Sequence, residues 1–457
     1  MKKISKFILK IIALYVLTLI IWRKFIKFDN TTNGYYNDSS SISSSNNSNI
    51  NQYESMPIVQ SNIFNINHNL SYYVSMLHQS IRVMELSDDL NILTINKCNH
   101  LWRPKLPLID HQHGIEIIFP NILYDMSISA KNGKCDINPI WDDNQRKQSP
   151  ILYYVRSYVY HAIYCTDKKN YKEDWTKRDP YWLEVSKYIT TTKEWKNNMG
   201  TDFLIPASHP ESSPSRHHPT ALGVLKRATF LKTDFDVSGY DTKDIIVPYL
   251  SEKITAKDSD GLNRPILGFF AGGDNPKNGL RSMLSNELKT YLKRSNQDNV
   301  IFTTDKIPDY LDKMKSSKFC FIVRGDTSSS RRLFTAIATG CIPVIISDWI
   351  VLPFAELIDY SKFTITFPES IVNNVESMIN HLHDISTNMN NINGKYIEMI
   401  TFLKESKQYL LYDYVNVEGM KSILNPATLT FIEAIIKRKK YCLSIATEHS
   451  QLCKRLI

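Results

Sequence analysis

The sequence has no Cys-x-x-Cys pair, although it contains seven cysteines. Because a structural zinc ion is usually held by cysteines at that spacing, no zinc knuckle is predicted. Cys320 and Cys341 lie in apolar, strand-like runs, where we expect buried free thiols. Better candidates for disulfides are Cys98, Cys135 and Cys165, and separately Cys442 with Cys453. The odd number leaves at least one thiol unpaired.

A broad excess of basic residues is also lacking. The formal net charge is +9, but residues 1–29 hold seven basic residues and one acidic residue. Six of the nine net charges therefore lie in this segment, and the rest of the chain carries only +3. A nucleic-acid-binding protein needs a large basic face, which this distribution does not provide. We expect no nucleic-acid partner.

Residues 7–22 form an apolar run that only Lys10 and Thr18 interrupt. Sixteen residues fall a little short of a hydrocarbon core of about 30 Å, but flanking basic side chains can extend the span. A cleaved signal peptide is the alternative, although IIWRKF at its end lacks the small residues that signal peptidase needs. The run predicts an uncleaved signal anchor after a cytoplasmic tail of residues 1–6. More lysines precede the middle of the run than follow it, which keeps the N-terminus cytoplasmic.

Residues 23–70 follow the anchor and have too few apolar residues to pack from position 29 onwards. The tract is rich in asparagine and serine and predicts an exposed stem. It holds the four Asn-x-Ser/Thr glycosylation sequons of the chain, at Asn30, Asn37, Asn46 and Asn69. A glycosylated stem beyond a single-pass anchor predicts that the following residues lie in the lumen.

Residues 264–385 alternate between apolar, β-rich runs and amphipathic segments. The predicted strands are 265–271, 300–304, 318–323, 341–347 and 363–367. The predicted helices are 279–292, 307–314, 331–339 and 372–383, and the first has an apolar face of Leu280, Met283, Leu284, Leu288 and Leu292. Gly340 follows the third helix, where a helix-ending glycine belongs. This alternation predicts a doubly wound parallel sheet of the Rossmann-like class.

Such sheets bind ligands beyond the carboxyl ends of their strands. The strand 318–323 ends in a glycine turn, followed by hydroxyl side chains and a helix that opens with Arg331 and Arg332. A helix start with free N–H groups and guanidinium groups suits a pyrophosphate. Alternatively, the serines only cap the helix and the arginines face water.

Residues 319–363 resemble the signature of the exostosin-like glycosyltransferases, family 47. The resemblance is carried by Phe319-Cys320, Gly325-Asp326, Ser329-Ser330, Arg332-Leu333, Gly340–Val344, Asp348 and Leu352-Pro353-Phe354. Weaker similarity covers residues 264–272, 243–249 and 200–209.

The family implies a GT-B fold, in which two Rossmann-like domains face a cleft. On this chain the acceptor-side domain would span 71–250 and the nucleotide-sugar-binding domain 251–385, with C-terminal helices at 386–457. The implied reaction moves a hexose or pentose from a nucleotide-sugar, expected to carry UDP, to a glycan or glycoprotein acceptor with inversion. The family also implies a type II Golgi membrane protein and no obligatory cofactor or metal ion.

The resemblance assigns donor binding to Gly272, Arg324, Gly325, Asp326, Ser329, Ser330, Arg331, Arg332 and Thr335. Thr335 stands where family members carry a carboxylate that can hold ribose hydroxyls. The expected catalytic base is Asp202, His209 or Glu211, of which the first two match family positions. Phe203 replaces a second family histidine. Asp326 is a further possible base, although a hydrogen bond to its own turn is expected instead.

Two non-catalytic alternatives remain open at this point. A member without activity could stabilise or localise an active glycosyltransferase, within a homo- or hetero-oligomer, and Thr335 and Phe203 favour this reading. A carbohydrate-binding module without transfer activity has no use for a diphosphate site.

Overall fold

The computed structural model describes residues 81–85, 152–156, 179–207, 223–234, 243–251, 263–274, 279–387, 394–412 and 424–444. All of them lie in one compact unit, Met56–Ile457. The predicted anchor, the stem and its four sequons lie outside the described residues, as do His209 and Glu211. Within the described part, no helix is long and apolar enough to span a bilayer.

The first sheet has five parallel strands in the order β1-β2-β3-β4-β5. Its strands are β1 (Ile81–Glu85), β2 (Leu152–Arg156), β3 (Phe203–Ala207), β4 (Thr229–Lys232) and β5 (Ile245–Ile246). Helices α1 (Asp179–Thr191) and α2 (Lys193–Asn198) precede β3. The strands β3, β4 and β5 are buried along their whole length, as expected for parallel strands covered on both faces.

The second sheet also has five parallel strands, in the order β10-β9-β8-β6-β7. They are β6 (Ile266–Ala271), β7 (Val300–Thr303), β8 (Ser317–Val323), β9 (Ile342–Ile346) and β10 (Ile365–Phe367). The connecting helices are α3 (Leu280–Ser295), α4 (Tyr310–Lys315) and α5 (Arg332–Thr339), and α6 (Val375–Thr387) follows a 3-10 turn, Glu369–Asn374. The predicted parallel α/β sheet is confirmed, with shifts of a few residues at element ends.

The buried face of α3 differs from the prediction: Tyr291 is buried, Leu292 is only partly buried, and Met283 lies off the face. Leu280, Leu284, Leu288 and Tyr291 are buried, whereas Met283 is 49% exposed. At about 100° per residue, Met283 lies nearly a quarter turn from the middle of the buried stripe. Gly340 ends α5 in the left-handed conformation, φ 70°, as predicted.

Cys320 and Cys341 form a disulfide, so the prediction that both are buried free thiols is wrong. Both residues are buried, but β8 and β9 are neighbours in the sheet and bring the two Cα atoms to 5.7 Å. That separation lies within the usual range for a disulfide. The predicted pairs among Cys98, Cys135 and Cys165, and of Cys442 with Cys453, involve side chains outside the described part of the chain.

Two C-terminal helices complete the described fold, α7 (Lys395–Leu410) and α8 (Pro426–Ser444). On the second sheet, α7 packs Tyr396 against Phe319 of β8, with 5.9 Å between the ring centroids. In contrast, α8 reaches the first sheet: the Lys437 Nζ donates to the carbonyl of Asp244 at 2.6 Å, and the Arg438 Nη2 donates to the Thr229 hydroxyl at 2.6 Å. The last helix therefore ties its end of the chain to β4 and β5.

Candidate active site

The strand order of the second sheet contains one switch point, between β6 and β8. From β6 the chain passes first to β7 on one side and then to β8 on the other. Connections leave in opposite directions at such a point, and ligands of open α/β sheets bind there, beyond the strand carboxyl ends. In this protein those ends are Ala271 and Val323.

Two arginines occupy the switch point. Arg332 opens α5, and its Nε donates to the Ala271 carbonyl at 3.0 Å. Arg281 lies in the first turn of α3, where its guanidinium donates to the carbonyls of Val323, at 3.1 Å, and Gly273. Each strand end is therefore covered by a guanidinium group.

The ring of Phe270 supports both cations. The guanidinium carbons of Arg332 and Arg281 lie 5.0 and 5.4 Å from its centroid, within the range of cation–π attraction. Phe270 is itself fixed by stacking on Phe302 of β7, with centroids 4.5 Å apart. The two charges are thus held on a rigid part of the sheet.

Glycines make room for these side chains. A Cβ atom at Gly272 would overlap with the Arg332 guanidinium, and one at Gly325 would overlap with that of Arg281. Neither position lies in the left-handed region, so space and not backbone conformation requires glycine there. We call Phe270, Gly272, Arg281, Gly325 and Arg332 the switch-point site.

The electrostatics of the switch-point site favour an anion. Burial, and next the charge of Arg281, lowers the pKa of Arg332 to about 10. Burial also lowers the pKa of Arg281, although Asp326 and Asp274 oppose the shift. Both cations sit in the first turns of helices, where the helix dipole disfavours positive charge. A bound anion would offset three unfavourable effects on these two cations: the loss of their hydration, their mutual repulsion and the field of the helix dipole.

Arg324, which was predicted to bind the donor, forms an ion pair with Glu369. Its Nε and Nη2 donate to the two carboxylate oxygens of Glu369 at 2.6 and 2.7 Å. Glu369 also exchanges hydrogen bonds with Asp348, at 2.8 and 3.2 Å. The partner of Arg324 lies 45 residues further along the chain, which the local pattern could not reveal, and donor binding by Arg324 stays a prediction.

The loop between β8 and α5 contains the other predicted donor residues. Ser330 accepts a hydrogen bond from the backbone N–H of Arg332 at 3.3 Å, two residues before the helix begins. Ser329 and Arg331 are half-buried beside it, and Asp326 is exposed. Thr335 is 3% exposed and its hydroxyl donates to the Arg331 carbonyl at 3.4 Å. That hydroxyl is therefore not accessible to a ribose in this state.

Asp202 does not lie where a catalytic base is expected. It precedes β3 and therefore sits at the amino end of a parallel strand, opposite the edge where ligands bind. It is 1% exposed, and its Oδ2 accepts from the Asn198 amide at 2.8 Å. From the sequence only an apolar run at 202–206 was visible, so the strand end that the carboxylate occupies could not be predicted.

Arg281 was missed in the sequence. Its position in the first turn of the helix that follows β6 was the available signal, because that helix start lies at the same sheet edge as Arg332. Among the described residues, no group of three or more His, Cys, Asp or Glu side chains could hold a metal ion.

Fold and site together define a Rossmann-like α/β protein with a cationic switch point. Residues 152–382, half of the chain, match the family model of the Exostosin GT47 domain. The chain belongs to the exostosin GT47 family.

Relatives from plants share this similarity. A probable arabinosyltransferase of Arabidopsis thaliana is 30% identical over 246 residues, or 51% of this chain and 50% of that protein. A probable glucuronoxylan glucuronosyltransferase of the same plant is 25% identical, over 49% of this chain and 50% of that protein. The chain thus spans about half the length of these relatives. The solved structure of TarM covers 49% of this chain and 54% of its own, at 10% identity and a TM-score of 0.27.

Proposed function

We propose that this protein is a glycosyltransferase that moves a sugar from a UDP-sugar to a glycan or glycoprotein acceptor. The observation that carries this proposal is the pair of guanidinium groups at the switch-point site, inside the region that matches the exostosin GT47 domain. The names of the relatives, arabinosyl- and glucuronosyltransferases, support a pentose or a hexose derivative as the transferred sugar. We further propose that the two sheets form the two halves of a GT-B fold, with the acceptor on the side of the first sheet.

The chemistry proposed is a single displacement with inversion. The acceptor oxygen bonds to the anomeric carbon while the bond from that carbon to the diphosphate oxygen breaks. Negative charge then grows on the departing diphosphate, where Arg281 and Arg332 would stabilise it. These two cations supply the positive charge, so the proposal requires no metal ion.

A base must take the proton of the acceptor hydroxyl, and this group contributes about 10²–10⁴ in rate. With Asp202 buried at the wrong strand end, His209 and Glu211 remain as the proposed bases. Both come shortly after β3, on the carboxyl side of that strand.

We also propose that the protein works in the Golgi lumen as a single-pass type II membrane protein. The Cys320–Cys341 disulfide supports this location, because disulfides persist in the secretory pathway and are rare in the cytosol. The predicted anchor and the four sequons support the same orientation.

The proposal is tested by calorimetric titration of UDP into the full-length, detergent-solubilised protein. Arg281→Ala or Arg332→Ala should each weaken UDP binding by about 1.5–3 kcal/mol for each charge-assisted hydrogen bond lost. Arg294→Ala is the matched control: this arginine lies on the same helix as Arg281, but its side chain is 71% exposed and pairs with Glu376. Its UDP affinity should equal that of the unaltered protein.

Thermal unfolding of each variant separates lost binding from lost folding. If Arg281→Ala and Arg332→Ala bind UDP as tightly as the control Arg294→Ala does, the two site arginines have only a structural role. No UDP binding by the unaltered protein would reject the enzyme reading in favour of a non-catalytic subunit.

A further inference from the structure

A polar cluster, buried at Thr233, Asp234 and Ser328, connects the two sheets close to the switch-point site. It consists of Thr233, Asp234, Tyr249, Thr327 and Ser328, and we call it the sheet-bridging cluster. The first two directly follow the carboxyl end of β4, and the last two lie in the loop between β8 and α5. Asp234 is only 5% exposed, although it is a carboxylate. A charged group is rarely so buried unless its partners matter to the fold or to the function.

Ser328 is held from both sides of the cluster. Its hydroxyl donates to the Asp234 Oδ1 at 3.2 Å, and its carbonyl accepts from the Ser347 hydroxyl at 2.8 Å. One partner belongs to the first sheet and the other follows β9 of the second sheet. The position of Ser328 therefore depends on both sheets.

Tyr249 adds a second link. Its hydroxyl makes hydrogen bonds with Thr233, Asp234 and Thr327. Burial, and next the charge of Asp234, raises the pKa of this phenol, so it stays neutral and keeps its single proton to donate. Its ring also lies against Phe334 of α5, with centroids 6.1 Å apart. Tyr249 thus touches both the loop and the helix that carries Arg332.

A short chain of contacts leads from the cluster to the switch-point site. Ser328 is two residues from Ser330, whose hydroxyl accepts a hydrogen bond from the N–H of Arg332 at the start of α5. The Gly325 N–H donates to the Thr327 carbonyl at 3.2 Å, which fixes the turn beside Arg281. Moving Thr327 and Ser328 would move the backbone that places both guanidinium groups.

We propose that Asp234 is a positioning residue for the switch-point site: through Ser328 and Tyr249, the first sheet sets the affinity of the second sheet for a nucleoside diphosphate. This inference rests on the proposed function. A carboxylate suits the task because it only accepts hydrogen bonds, and both neighbouring hydroxyls can donate to it. An asparagine has one acceptor oxygen and turns an amide N–H₂ towards the second donor.

Titration of UDP into the full-length protein tests the inference. Asp234→Asn should weaken UDP binding about tenfold, and the milder variants Ser328→Ala and Tyr249→Phe should each weaken it severalfold, the range expected for the loss of one intramolecular hydrogen bond. The Asp234→Asn and Ser328→Ala losses should not add in the double variant, because the two residues share one hydrogen bond. A general loss of stability would not produce that coupling.

Matched controls remove the same kind of hydroxyl away from the cluster. Ser285 is buried in α3 and its hydroxyl has no hydrogen-bond partner among the described residues, so Ser285→Ala controls for Ser328→Ala. Tyr396 is buried against β8, and its hydroxyl likewise has no partner within the described part of the chain, so Tyr396→Phe controls for Tyr249→Phe. Both control variants should bind UDP like the unaltered protein.

The outcomes separate this inference from the proposed function. If the unaltered protein binds UDP and the cluster variants bind it equally well, or if the controls lose as much affinity, the positioning role is rejected and the proposed function stands. If the unaltered protein does not bind UDP, the proposed function fails and the inference fails with it.

Discussion

At the scale of single residues, Gly272 and Gly273 allow a direct comparison of two alanine substitutions. They are neighbours at the end of β6 and neither has a positive φ, so alanine is conformationally acceptable at both. They differ in their surroundings: a Cβ at Gly272 would displace the Arg332 guanidinium, whereas a Cβ at Gly273 would meet nothing within 4 Å. The pair can therefore probe the placement of one cation without removing any polar group.

Gly272→Ala should weaken UDP binding by about 1.5–3 kcal/mol, the value of one hydrogen bond to a charged group. The obstructing atom is the end of a flexible side chain, so the guanidinium can swing aside and stability should change by less than about 1 kcal/mol. Gly273→Ala should leave both quantities unchanged. Calorimetry and thermal unfolding measure the two effects, and equal UDP affinities in the two variants would contradict the site geometry.

At the scale of elements, the sequence predicted the second sheet well because its helices and strands are short, regular and separated by clear turns. The carboxyl ends of β6 and β8 were therefore located correctly, and with them Gly272, Gly325 and Arg332. Which strands become neighbours could not be predicted from local periodicity. That missing knowledge explains why the Arg324–Glu369 pair and the Cys320–Cys341 disulfide were not foreseen, since both connect residues that only the sheet order brings together.

The disulfide itself gives a prediction at this scale. It closes a segment with a sequence separation of 21 and should stabilise the fold mainly by restricting the unfolded chain. The double variant Cys320→Ala/Cys341→Ala should lose about 2–4 kcal/mol of unfolding free energy, measured by urea titration. Its UDP affinity should be unchanged, because neither cysteine touches the switch-point site. Alkylation of both cysteines in unfolded, non-reduced protein would show instead that the bond is absent.

At the scale of the whole molecule, long-range contacts decide what local patterns leave open. The last helix, α8, docks on β4 and β5 through Lys437 and Arg438, contacts that span 193 and 209 residues of sequence. The cluster around Asp234 likewise joins residues 94 positions apart. The first sheet was hard to predict for the same reason, because its strands are widely spaced along the chain and local patterns there revealed no strand order.

The topology of the full chain is the last testable consequence. Glycosylation of the stem and formation of the Cys320–Cys341 disulfide both require the lumen, so two independent chemical marks should occur in the same molecules. In a eukaryotic secretory host, N-glycosidase treatment should increase the mobility of the full-length protein. A variant with Asn→Gln at all four sequons should show no shift, and each single variant should lose one step at most: Asn30→Gln, Asn37→Gln, Asn46→Gln and Asn69→Gln.

An N-terminal epitope should be reached by antibody when only the plasma membrane is permeabilised, because the lysines that precede the apolar run hold that end in the cytosol. An unglycosylated product, or an epitope accessible only after the internal membranes are opened, would contradict the type II orientation while leaving the sugar-transfer proposal to be decided by UDP binding.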